Sequence, residues 1–205
     1  MTLSLLIVTA GMSVPAAADS RIEALAGAVE ADADQSEHEA GDTRRATAER
    51  ARSNAEECLA RAPEAAACQY AQGLALGLAA REHPLHARTL LHDMLASLAR
   101  AEATDPDYDA AGPARVQALV LLRAPGWPLG PGNVAEGLAA AQRAVMRHPE
   151  YPPNWLALAE AQAKSGSGGS AHESGRRAHD AALAFPASPR RDAWLAEADS
   201  VLAHR

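Results

Sequence analysis

Residues 137–151, GLAAAQRAVMRHPEY, decide the fold class of this chain. The stretch is dominated by alanine, the strongest helix former. Just upstream, Asn133 and Glu136 have the spacing of a capping box, which satisfies backbone N–H groups left free at a helix start. Val134, Leu138, Ala141 and Val145 recur at helical spacing and make one apolar stripe. Pro149 then stops the run, because its ring cannot continue a helix.

The same stop recurs along the chain. Pro63, Pro106, Pro149 and Pro186 stand 43, 43 and 37 residues apart, closing CLARAP, RAEATDP, AVMRHP and AALAFP. Five positions before these prolines lie Cys58, Ala101, Ala144 and Ala181. Twelve positions before them lie Ala51, Met94, Gly137 and Ser174. Positions seven apart share a helix face, so small residues there let a neighbouring helix approach closely. Met94 is the exception. Gly73 and Gly77, four apart, also suit close helix packing. Recurrence at this period marks a helical repeat. No run of alternating β-branched or aromatic residues predicts a strand.

These signals predict an all-α chain. Ile22, Leu25 and Val29 make the stripe of a first helix. Four helical hairpins follow, at about 43–83, 85–124, 133–166 and 169–204. The expected organisation is a signal peptide over 1–18, an acidic helix and linker over 19–42, and a repeat domain over 43–205. The signal rests on the apolar run Leu3 to Val8 and the small residues Ala16 to Ala18 before Asp19, although no Lys or Arg precedes the run. It is too short for a permanent membrane span. A periplasmic or secreted protein is expected.

The net charge is −7, and residues 19 to 42 hold eight acids against one base. The remainder is balanced, so no basic face exists to neutralise phosphates and nucleic acid is not an expected partner. Cys58 and Cys68 lie near the end of one helix and the start of the next, with a turn at Ala62 to Glu64. In an oxidising compartment they are expected to form a disulfide; two small buried side chains are the alternative. No zinc-binding H-E-x-x-H, nucleophile elbow, phosphate loop or C-x-x-C pattern is present. No enzyme activity, cofactor or metal is therefore expected.

Residues 137–151 resemble the second helix of a tetratricopeptide (TPR) repeat with its closing proline. NWLALAEAQAKSG, 154–166, resembles the following first helix, with Trp155, Leu158 and Ala159 at the family's Trp, Leu and small positions. The stretch SGSGGS, 165–170, is longer than the family's turn. The resemblance implies a right-handed superhelix of about four TPR-like hairpins plus an N-terminal helix.

A narrower likeness lies in PDYDAAGPARVQALVLLRAPGWPLGPGN, 106–133, and HPEYPPNWL, 148–156. These strings are similar to the periplasmic T component of TRAP (tripartite, ATP-independent) transporters. Gly112, Pro113, Arg115, the loop from Ala124 to Gly132, Tyr151, Pro152 and Asn154 carry it. It implies an accessory protein that oligomerises or docks on a periplasmic solute-binding protein, or that passes a small apolar ligand through a pocket or pore. Arg115, Trp127, Tyr151, Asn154 and Trp155 are the resulting candidates for partner or ligand binding. Arg115 reads either as a ligand for an anion or as an ion pair with Asp107 or Asp109. Trp127, amid closely spaced prolines and glycines, reads either as an interface anchor or as a plug folded back into the groove. Trp155 and Trp194 also suit core filling.

Overall fold

A computed structural model describes residues 15–203. The described residues form nine helices and no strand. They are α1 (Pro15–Ser36), α2 (Gly41–Arg61), α3 (Ala66–Glu82), α4 (Ala87–Thr104), α5 (Tyr108–Arg123), α6 (Val134–Arg147), α7 (Pro152–Lys164), α8 (Gly168–Leu183) and α9 (Pro189–Ala203). The apolar run expected to serve as an export signal lies outside the described residues. No described helix is long and apolar enough to cross a membrane.

Each helix packs on the next, and each odd-numbered helix also packs on the next odd one. The even-numbered helices make no such contacts with one another, so they form an outer layer. The most extensive packing joins α1 to α2, α3 to α4, α5 to α6 and α7 to α8. This leaves α9, not α1, as the helix without its own partner. The stop prolines end the even-numbered helices and so fall between pairs. The hairpins expected from sequence, shifted by one helix, put those prolines inside the pairs.

Small residues explain the closeness. Ala51, Cys58, Ala101, Ala144 and Gly137 are buried, as are Ser174 and Met94, while Ala182 is buried beside half-buried Ala181. Met94 is accommodated by a missing side chain opposite: a Cβ on Gly77 would meet its Sδ and Cε at 3.0 Å. One turn away the pairing repeats, with a Cβ on Gly73 falling 2.9 Å from Leu98 Cγ. A bulky residue on α4 is thus matched by glycine on α3, twice. Gly73→Val is expected to cost about 2–3 kcal/mol through overpacking, read as a lowered midpoint in urea denaturation; an unchanged midpoint would mean that Leu98 has room to move.

At the N-terminal end, Cys58 and Cys68 form a disulfide between α2 and α3, with Cα atoms 5.2 Å apart. At α6 the N-cap half of the expected capping box is formed, while the reciprocal bond is not, because the Asn133 N–H donates to the Leu121 carbonyl instead of to Glu136. Asn133 Oδ1 accepts from the N–H groups of Ala135 and Glu136, at 3.1 and 3.2 Å, and its Nδ2 donates to Glu136 Oε1.

Candidate functional site

The odd-numbered helices face a cavity of about 550 Å³. Its lining comes from all five of them: Glu30 and Asp34 from α1, Tyr70 from α3, Asp109, Arg115 and Arg123 from α5, Leu156 from α7, and Arg190, Trp194 and Glu197 from α9. Arg190 Nη2 donates to Asp34 Oδ2 at 3.0 Å, joining the first and last helices across this space.

The floor is built from the two strings that the sequence singled out. Asp109, Ala110 and Ala111 are all left-handed, with φ of 48°, 50° and 63°. Each such residue costs about 1–2 kcal/mol when it is not glycine, so three in succession need support. Arg115, 8% exposed, supplies much of it. Its Nη1 donates to the carbonyls of Asp109 and Ala110, both at 3.2 Å, and its Nη2 donates to Asp109 Oδ2 at 2.6 Å. Asn154, wholly buried, donates from Nδ2 to the carbonyls of Ala110, Ala144 and His148 and accepts from Arg115 Nη1 at 3.1 Å. The right-handed helix then runs from Gly112. A Cβ there would fall 2.6 Å from Asp109 Oδ2, so only glycine fits. Pro113 sits in the first turn of that helix, where a missing N–H costs no hydrogen bond.

Arg115 therefore takes up the ion-pair alternative, with Asp109 as partner. Its guanidinium also lies 5.0 Å from the centroid of the Tyr151 ring. Tyr151 meets Trp194 edge-on at 5.5 Å, and Trp194 meets Phe185 at 5.3 Å, giving the cavity an aromatic wall. On the opposite side Tyr70 donates to Asp109 Oδ2 and Tyr108 donates to Glu30 Oε1, each at 2.9 Å. Burial pushes the Tyr70 hydroxyl well above its usual range. Desolvation also raises Glu30 and Glu197.

The five candidates thus separate. Arg115 and Tyr151 face the cavity, and Asn154 lies beneath it as a brace. Trp155 lies outside the lining: its Nε1 donates to the Pro149 carbonyl at 2.7 Å, and Arg177 of α8 lies 5.9 Å from its ring centroid. Trp127 is 90% exposed, so it does not fold back as a plug. The loop carrying it is shaped from within. Gly132 N donates to the Pro125 carbonyl at 2.8 Å, and Asn133 N to that of Leu121 at 2.8 Å. A Cβ on Gly132 would lie 2.2 Å from the Ala124 carbonyl oxygen.

Sequence reasoning missed Tyr70, Tyr108 and Glu30 as parts of this site, and assigned Trp194 to core filling alone. A signal was present for one of them. Tyr108 and Tyr151 stand two residues after Pro106 and Pro149, in P-D-Y and P-E-Y, at the same point of the repeat. Among the described residues no group of three or more His, Cys, Asp or Glu is placed to hold a metal. No protein-family model matches this chain, and no curated protein matches it.

Proposed function

We propose that the protein is a non-catalytic helical-repeat scaffold that holds a segment of a partner protein in the cavity faced by its odd-numbered helices. One observation carries this reading: five helices, from the first to the last, contribute side chains to a single space. Stacking with extra contacts along one layer curves an array of helices toward that layer, as in TPR-like superhelices, and the concave side of such arrays is a recognition surface. The ion pair between Arg190 and Asp34 fits that curvature.

The charges indicate what the segment carries. Arg115, Arg190 and Arg123 are committed to Asp109, Asp34 and Glu160. Glu30, Glu37 and Glu197 face the cavity without a direct arginine contact. With Tyr151 and Trp194 beside them, they suit a lysine or arginine side chain of the partner, whose cation gains from both carboxylates and aromatic faces. An exported, oxidised protein is consistent with the disulfide. The likeness of the Arg115 and Asn154 strings to the TRAP T component favours a periplasmic solute-binding protein as partner.

The test is affinity capture from periplasmic extract, comparing the natural chain with Glu37→Lys combined with Glu197→Lys. Both side chains are exposed, so the fold should be kept. The expected result is one protein retained by the natural chain and lost by the variant. Equal retention by both would refute the cavity as the docking site.

A second reading has its own observation. An apolar cleft of about 440 Å³ lies between the ends of α3, α4 and α5, lined by Leu74, Leu78, Leu91, Met94, Leu119 and Val120. It suits a small apolar ligand. Native mass spectrometry should then show a retained molecule that Leu119→Glu displaces.

A further inference from the structure

The cavity and the apolar cleft are parts of one groove. They share the walls made by Ala33 and Glu37 of α1, Leu74 of α3, and Leu119 and Arg123 of α5. The two ends differ in chemistry. At the cavity end the carboxylates of Glu30 and Glu197 stand with the edge-on rings of Tyr151 and Trp194. At the cleft end the walls are aliphatic, and Leu74, Leu91, Leu119 and Val120 are only half-buried. The charged residues of the cleft are Glu37, Arg81 and Arg123. Arg123 donates from Nε and Nη2 to Glu160 Oε2, at 3.0 and 2.7 Å, and Arg81 donates to Ser36 Oγ. Glu37 belongs to both ends and has no direct arginine contact.

We infer that the partner segment docks in two parts, a lysine or arginine in the cavity and a bulky apolar residue of the same short stretch in the cleft. This rests on the reading of the cavity as the partner's docking site and adds a second recognition element to it. Half-buried aliphatic surface inside a groove gains from being covered. A cation gains only at the end that holds the carboxylates. One occupant that answers both ends is cationic at one end and apolar at the other. A wholly apolar molecule in the cleft lies against Glu37 without answering its charge. A peptide meets both demands within a few residues, because an extended chain advances about 3.3–3.6 Å per residue. The methylene stem of its basic residue can also cover Val116 and Leu119, which line the cavity between the ends.

The experiment is isothermal titration calorimetry of the full chain with acetylated, amidated peptides. Each carries a lysine and a phenylalanine, in either order, separated by a short run of glycines of varied length. Control peptides replace the phenylalanine by serine or the lysine by glutamine, and dodecylamine serves as a small amphiphilic probe. The protein variants are Glu197→Gln at the cavity, and Leu91→Ser and Ala87→Phe at the cleft. Ala87 is the half-buried first residue of α4, so phenylalanine there fills the cleft without emptying any core, and circular dichroism checks that each variant folds. The peptide with the matching spacer should bind at least about ten-fold more tightly than either control, since linked contacts reinforce one another only when the span fits. Both cleft variants should remove that advantage. Glu197→Gln should weaken the lysine peptides and lower their sensitivity to salt. Equal binding by the serine control at every spacer length would confine docking to the cavity and overturn the inference, while the cavity reading itself would stand. If the cleft variants weaken binding and Glu197→Gln does not, the carboxylates are not the cation's partners and both readings fall. Dodecylamine binding with no peptide binding would give the groove to a small amphiphile, and no binding by any probe would leave no docking groove; either result overturns the inference.

Discussion

Arg115→Ala should destabilise the protein by about 3 kcal/mol, the low end of the cost of removing one partner from a buried ion pair. The loss has three parts. Asp109 keeps only the hydroxyl of Tyr70 as a donor to its Oδ2, in a place where the carboxylate is about two-thirds shielded from water. The carbonyls of Asp109 and Ala110 lose their guanidinium donor. The left-handed turn loses the brace that offsets its steric cost. Asn154→Ala should cost a similar amount, because its amide serves three carbonyls and accepts from Arg115. The two effects should not add. Both side chains hold the same carbonyl of Ala110, so once one is gone the turn relaxes and the other has less to hold. Urea denaturation of the two single variants and the double variant measures this, and Arg115→Lys is the control for charge. Lysine keeps the cation but lacks the planar fork that reaches Asp109, Ala110 and Asn154 together, so it should recover less than half of the loss. Full recovery by lysine, or a cost below about 1 kcal/mol for alanine, would show that the floor of the cavity does not depend on this arginine.

The contrast between what the sequence disclosed and what it hid follows from the range of the forces involved. Helix ends were legible because they are written locally: Asn133 caps α6, and each stop proline closes an even-numbered helix. The small-residue register was legible because burial repeats with the helix period. Helix pairing was not, since it depends on which faces meet, and the matches of Gly73 with Leu98 and Gly77 with Met94 relate residues on different helices. The left-handed turn was hidden for the same reason. Asp109, Ala110 and Ala111 carry no glycine and continue an apparently helical pattern; only Arg115 and Asn154, the latter more than forty residues away in sequence, make that backbone tolerable. Tyr108 and Tyr151 mark the middle ground. Their shared position after proline was visible, but their opposite partners, Glu30 and Arg115, come from other helices.

Loss of the disulfide is the second large effect expected. Cys58→Ala with Cys68→Ala should lower stability by about 2.5–3 kcal/mol, the loop-closure value for so short a loop. The surrounding core gives this weight. Around the bridge the buried cluster is mainly alanine; Leu25, Val29 and Leu78 are its large aliphatic members among the described residues, with half-buried Ile22, Leu59 and Leu74 packed against it. Alanine buries little apolar area, so each contact contributes little. The N-terminal helices therefore rely on the bridge more than a leucine-rich core would. Both cysteines are fully buried, so a reductant should reach the bridge only when α2 and α3 separate, and the rate of reduction should track that opening. A functional consequence follows from position. Tyr70 lies two residues beyond Cys68 and reaches across to Asp109, so loosening the start of α3 releases one wall of the cavity. The bridge-free variant should thus show weakened tyrosine signals in near-ultraviolet circular dichroism while its helical signal persists. If stability and tyrosine signals both match those of the oxidised protein, the alanine-rich packing of α1, α2 and α3 holds that wall without help from the sulfur bridge.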